Sequence, residues 1–127
     1  MFKNLTIFRM AEALALHSNA RQVEVARNVA NSDTPGFRAG DISKFSDLYG
    51  PGAGLELKQS RAGHRLEPSV GAWKRQDAPD GMSPNGNTVS LETQMLKAAD
   101  IRHAHDMALG VYASSLSILR SSLGGRG

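Results

Sequence analysis

The stretch A-R-N-V-A-N-S-D-T-P-G-F-R-A-G, Ala26 to Gly40, closes one structural regime and opens another. Asn28 and Asn31 stand where a helix would end. Their side chains can bond free backbone groups there, and Asn tolerates the left-handed conformation. Pro35 cannot extend a helix and pushes Thr34 into an extended conformation. Thr34 to Phe37 fits a type II turn, with Pro35 second and Gly36 third, where φ must be positive. Ser32, Asp33 and Thr34 can bond nearby N–H groups. The stretch predicts a helix stop, a rigid redirection, and Phe37 packing back on the helix. These local features alone leave the function open.

Pro and Gly divide the chain on either side of this stretch. The first 31 residues contain neither. All five prolines and nine of the thirteen glycines lie between residues 32 and 86, and from 87 to 123 there is only Gly110. Pro costs about 3 kcal/mol and Gly about 1 kcal/mol in a helix interior, so the partition predicts two helices around a non-helical middle. The expected zones are 1–45, a helix with its turn; 46–86, a variable Gly/Pro-rich middle; and 87–127, a second helix.

The first helix is expected over about residues 4–31. Ala13, Leu16, Ala20, Val23, Arg27 and Ala30 keep a 3-4-3-4 spacing, and Ile7, Ala11, Leu14 and Val25 add a neighbouring stripe. The last helix shows a heptad line through Leu91, Met95, Ala98, Arg102, His105, Leu109, Tyr112, Leu116, Leu119 and Leu123. Ser90 is its expected N-cap, Glu92 suits the dipole in its first turn, and Gly124 supplies the stop. In the middle, 54–59 and 64–73 are candidate short strands, and 49–54 and 80–87 read as turns. The expected fold is mainly α. Long N- and C-terminal amphipathic helices pair as an antiparallel coiled coil, with an irregular or short-strand middle and termini partly disordered in the monomer. Both helices carry more apolar surface than one seam buries, so neighbouring copies are expected to complete the core.

Little chemistry is on offer. The chain has no cysteine, which excludes disulfides, thiol catalysis and Cys-ligated zinc. His103 and His105 point to different helix faces and make a poor metal pair. His105 and Arg102 on the heptad line read as register- or partner-setting residues. The R-A-G-H-R-L-E segment, 61–67, is a weak phosphate candidate that Glu67 and Glu56 neutralise. There is no phosphate-binding loop, nucleophile elbow or apolar carboxylate pair, and serines 114, 115, 117, 121 and 122 read as packing or surface residues. Neither an enzymatic activity nor a cofactor is expected.

The net charge of +3 and pI near 9.6 raise nucleic-acid binding. Yet the balance is +2 over 1–31, zero over 32–86 and +1 over 87–127, with no basic stripe, so no nucleic-acid partner is expected. No run of 18 apolar residues exists, and the N-terminal segment has no secretory h-region with a cleavage site.

The run N-V-A-N-S-D-T-P-G-F, Asn28 to Phe37, resembles the N-terminal motif of bacterial flagellar axial proteins, the rod, hook and related subunits. That pattern is Asn-x-Ala-Asn-x-x-Thr-Pro-Gly-aromatic, matched here by Asn28, Ala30, Asn31, Thr34, Pro35, Gly36 and Phe37. The C-terminal segment from Gly86 resembles the last helix of the smallest rod subunits, whose Val-x-Leu-Glu-x-x-Met opening is matched by Val89, Leu91, Glu92 and Met95. Short length without an inserted domain points to a proximal rod subunit, its sister subunit being the nearest alternative.

The resemblance implies a self-assembling structural subunit of the basal-body rod. It would be exported by the flagellar type III apparatus without a cleaved signal and would lie in the periplasmic space. It would pack against itself and other rod subunits, near the MS ring and its adaptor subunit, and transmit torque. The seam residues expected to do so are Leu91, Met95, Ala98, Leu109, Tyr112, Leu116, Leu119 and Leu123. A non-polymerising helical adaptor or chaperone-like binding protein is the alternative on the same stripes.

Overall fold

A computed structural model describes residues 2–49 and 73–125. Two long helices dominate it: α1, Phe2–Ala30, and the C-terminal helix, Leu91–Gly124. At about 1.5 Å per residue they run roughly 43 and 51 Å. Between them lie β1, Gly40–Ile42, the five-residue α2, Phe45–Tyr49, and β2, Arg75–Asp77; the C-terminal helix is therefore α3. The two helices pack on each other along their lengths. Asn28, near the end of α1, bonds Gln94, near the start of α3, while Phe8 meets Tyr112 edge-to-face at 5.1 Å. The pair is therefore antiparallel, as expected.

Ser90 caps α3 from an extended backbone, its hydroxyl accepting from the Thr93 N–H at 3.4 Å. The C-terminal stop is not a left-handed glycine, since Gly125 follows the helix at φ −75°. The 83–86 segment forms the expected turn: the Gly86 N–H donates to the Ser83 carbonyl at 2.9 Å, and Gly86 takes φ +81°. The candidate strands at 54–59 and 64–73 fall outside the described residues, except for Trp73, which is in no regular element. So do 50–54 and 61–67.

The strands that do form are not the expected ones. β1 and β2 pair antiparallel, with Gly40 opposite Asp77, Asp41 opposite Gln76 and Ile42 opposite Arg75. Neither has strand-forming composition, and all of β2 is exposed. Tertiary bonds place them instead. Arg75 donates through Nε to Glu24 of α1 at 2.9 Å and through Nη2 to the Arg38 carbonyl at 2.7 Å, so its guanidinium lies across Gly40. A Cβ on Gly40 would collide with that guanidinium, so a larger residue there would have to displace Arg75 from its bonds to Glu24 and Arg38.

The helix contact is built from small residues. The buried apolar side chains among the described residues are Ala11, Ala13, Val25, Ala39, Ile42, Ile101 and Ala108. On α1, the line facing α3 runs through Ala11, Leu14, Ser18, Arg21, Val25 and Asn28, all buried or half-buried. On α3 it runs through Gln94, Ile101 and Ala108, with half-buried Ala98, His105 and Leu119 beside it. The heptad line expected from sequence is thus split. One half flanks the intramolecular contact, while Met95, Arg102, Leu109 and Leu123 turn to solvent. The outer stripe of α1 does the same at Leu16, Val23, Arg27 and Ala30.

This split predicts opposite responses at adjacent positions. Ala108→Leu overfills the helix contact and should cost about 1–3 kcal/mol. Leu109→Ala, one residue on and half-exposed, should stay within about 0.5 kcal/mol. Urea unfolding of the dilute protein followed by far-UV circular dichroism measures both.

Candidate functional site

The Asn28–Phe37 motif ends α1 with few local bonds. The Asn31 N–H reaches the Arg27 and Asn28 carbonyls at 3.2 Å each, and Ser32 N–H reaches Val29 at 3.2 Å. The Asn31 amide donates back to the Arg27 carbonyl at 2.8 Å, and the Thr34 hydroxyl lies 3.2 Å from Asn31 Oδ1. The turn then closes as expected. The Phe37 N–H donates to the Thr34 carbonyl at 3.2 Å with Gly36 at φ +72°. Phe37 is half-buried.

The Thr34 N–H also donates to the Asn31 carbonyl at 3.1 Å, and the carbonyls of this turn receive a further donor from far along the chain. Asn87 is buried, and its Nδ2 lies 2.9 Å from the Asn31 oxygen, 2.9 Å from Ser32 and 2.8 Å from Thr34. Two amide hydrogens are shared by three acceptors. Asn87 Oδ1 in turn accepts from the Val89 N–H at 2.8 Å, which aims the amide. Its neighbours extend the grip. The Gly36 N–H donates to the Asn85 carbonyl at 3.0 Å, the Thr88 N–H to Phe37 at 3.0 Å, and the Ala39 N–H to the Thr88 hydroxyl at 2.9 Å. The helix end is therefore capped by the segment that leads into α3, not by its own residues alone.

Asn28 is the second anchor and is fully buried. Its Nδ2 donates to the Gly40 carbonyl at 2.8 Å and its Oδ1 accepts from the Gly40 N–H at 3.1 Å, a two-point bond like one rung of a sheet. The same Nδ2 reaches Gln94 Oε1 at 3.1 Å. Gln94 passes the bond on, donating through Nε2 to Asp80 Oδ2 at 2.7 Å. Asp80 sits before the start of α3, where its Oδ2 also accepts from the Ser90 N–H at 3.0 Å. Anions are favoured at that end of a helix. Lys97 completes the chain, 3.3 Å from Asp80 Oδ1 and 3.8 Å from Asp41 Oδ2.

Asp41 is bound through both oxygens by Arg21, at 3.0 and 2.8 Å. Burial pushes its carboxyl up, but the Arg21 bonds, the Ile42 N–H and the charges of Arg21 and Lys97 outweigh that and hold it below the usual carboxylate range. Every buried side-chain nitrogen and oxygen among the described residues has a partner. No group of three or more metal-ligating side chains forms among those residues. An open groove of about 440 Å³ beside the turn is lined by Gly36, Arg38, Asp77, Pro79 and Met82, among others. Its charged groups, Arg38 and Asp77, lie 3.6 Å from each other.

The motif residues thus divide. Asn28 faces inward and Asn31 and Phe37 are half-buried, while Ala30, Thr34, Pro35 and Gly36 are exposed. Sequence reasoning missed Asn87, Gln94, Asp80, Asp41 and Arg21. The available signal was a polar Gln, where the contact line called for an apolar residue, next to an Asn-Gly-Asn-Thr segment.

Comparison with known proteins bears on the family. No profile of a known protein family matches the chain. Individual relatives do. The chain is 32% identical to the flagellar basal body rod protein FlgB of Salmonella typhimurium over 126 residues, covering 90% of this chain and 89% of that one. The chain belongs to the FlgB family of flagellar basal body rod proteins. It is also 31% identical to the FlgB protein of Escherichia coli, with 83% of each chain covered, and 28% identical to that of Agrobacterium fabrum, with 81% of each. FlgB membership agrees with the resemblance to flagellar rod subunits read from the sequence. No helix among the described residues is long and apolar enough to cross a membrane.

The capping geometry predicts that Asn87→Ala, which removes the donor shared by the Asn31, Ser32 and Thr34 carbonyls and leaves Asn31 and Thr34 with only their local N–H donors, destabilises the protein by about 1–3 kcal/mol. Asn87→Asp keeps the shape but turns acceptors toward acceptors and should cost more than Ala. Gly36→Ala meets no atom within 4 Å but must keep φ +72°, and should cost about 1–2 kcal/mol from backbone strain alone. Chemical unfolding of each variant gives the order.

Proposed function

We propose that this protein is a structural subunit of the proximal rod, assembling with itself and other rod subunits between the MS ring and the distal rod and transmitting torque for motility. The observation that carries the reading is the apolar surface left outside a rigidly joined helix pair. On α1, Ile7, Met10, Leu16, Val23 and Val29 are exposed; on α3, so are Leu91, Met95, Leu96, Leu109, Ile118 and Leu123 among others. Such surface on a single chain marks an interaction face. FlgB relatives are named as basal-body rod proteins, which supports the rod as the place where that face is covered.

In this reading the outer seam of α3, with Leu91, Met95, Leu109, Tyr112 and Leu123 foremost, packs on neighbouring subunits. Ala98, Leu116 and Leu119 join the intramolecular and outer faces. Asn28, Asn31, Gly36 and Phe37 build the joint, while Ala30, Thr34 and Pro35 present it to a neighbour. The helices serve assembly, and the 46–86 segment is the variable part. The protein passes through the flagellar export apparatus without a cleaved signal, meets the MS ring and its adaptor at the rod base in the periplasm, and catalyses no reaction.

Leu109→Asp tests this directly. Leu109 is half-exposed, so the charge should change monomer stability little, yet it should block assembly by placing a carboxylate in the intersubunit seam. Expected is loss of motility in a complementation assay with wild-type protein levels. Restored motility would reject the seam assignment. Amide exchange adds a second measurement: the helix ends should gain protection on assembly, and a monomer already fully protected there would argue against ordering on assembly.

A further inference from the structure

His17 has no part in the joint or in the outer seam. It lies on the buried side of α1 at 2% exposure. Its Nε2 is 2.7 Å from the Ser43 carbonyl, so this nitrogen carries the proton and donates. Its ring is flanked by two aromatic rings, Phe45 at 5.5 Å and Trp73 at 5.2 Å in a perpendicular contact. Phe45 opens α2, at the end of one described segment, and Trp73 begins the next. One imidazole thus holds both ends of the middle segment against α1.

We propose that His17 is a pH-sensitive latch: neutral, it fastens Ser43, Phe45 and Trp73 to α1, and on protonation it releases them while the α1–α3 joint stays closed.

The surroundings favour the neutral ring. Burial pushes the imidazole down from its ordinary value, the Ser43 bond opposes this, Arg21 one turn along α1 adds to it, and Asp41 on β1 opposes it; the net shift is downward. The other charged groups near this face are already committed. Arg21 and Lys97 of α3 both bond Asp41, and Glu24, two turns further on, holds Arg27 and Arg75. α2 and the Trp73 segment offer His17 aromatic rings. A group whose pKa is lower in the fold contributes its stabilisation above the unfolded value, here about 6.5, and loses it as pH falls through the folded value. The latch is therefore closed at neutral pH and opens in mild acid. The Asn28–Gln94 and Asn87 bonds of the joint are made by side-chain amides and backbone carbonyls, which carry no titrating charge.

Trp73 is the only tryptophan in the chain and reports the latch directly. The intact protein is titrated from about pH 7.5 to about pH 5 while Trp emission and far-UV circular dichroism are recorded together. Expected is a red shift of Trp73 emission with the helical signal retained. His17→Gln keeps an N–H donor without the titration and should abolish the shift, whereas His64→Gln should leave it. A shift that survives His17→Gln, that disappears in His64→Gln, or that coincides with loss of helix would overturn the proposal, as would no shift at all. Should His17→Gln fail to fold, NMR of the wild-type protein decides. The His17 ring must titrate below its ordinary value and the Trp73 indole N–H resonance must move with the same midpoint. A ring titrating at or above that value, or an indole that does not follow it, refutes the latch.

Discussion

The side-chain amide of Asn87 is the constraint on which the joint depends. A helix end leaves carbonyls without partners, and these must be satisfied where water is excluded. The motif after α1 turns the chain too sharply for its own N–H groups to serve all of them. Asn87 supplies a donor to Ser32, and a second one to Asn31 and Thr34, from more than fifty residues away. The turn that ends α1 is therefore completed only when the segment leading into α3 has arrived. Local helix termination and long-range helix pairing become one event.

The same economy explains the polar interior. Among the described residues, the largest fully buried side chains are Gln94, Asn28, Asn87 and Ser18. An apolar contact of small residues such as Ala11 and Ala108 lets two helices approach closely but allows them to slide by a turn. The bond from Asn28 to Gln94, passed on to Asp80, forbids that slide because a shift would leave buried amides without partners. Register is set at one end of the pair, and the rest of the contact follows.

Much of this was legible before the structure. The absence of Pro from both ends, with Gly110 the one glycine between 87 and 123, placed α1 and α3, Ser90 was recognisable as a cap, and Pro35-Gly36 as a turn. The direction of the α3 face was not, for a physical reason. Of the contact positions Gln94, Ile101 and Ala108, the first is polar and the last small, whereas most of the larger apolar residues lie one position away or on the flank. A periodicity argument follows the bulky side chains, and here half of the bulk points outward. The strands were missed because Gly40-Asp41-Ile42 and Arg75-Gln76-Asp77 are placed by Asn28, Glu24 and Arg21, not by propensity. Asn87 was read only as part of a turn, since nothing local shows which carbonyls its amide reaches.

The mismatch between bulk and contact is itself the argument for assembly. A helix pair that served only its own stability would place Leu109 and Met95 where Ala108 and Gln94 now stand. Instead its tightest specificity is spent on a short polar joint, and its largest apolar side chains are kept outside. A rigid joint fixes how the two helices are presented, so their outer faces form one composite surface. Covering that surface with neighbours, as proposed, would supply the apolar burial that the single chain lacks. In the assembly proposed for this FlgB-family chain, a precise joint inside and a broad apolar face outside are two halves of one design: the first would set the geometry that the second repeats.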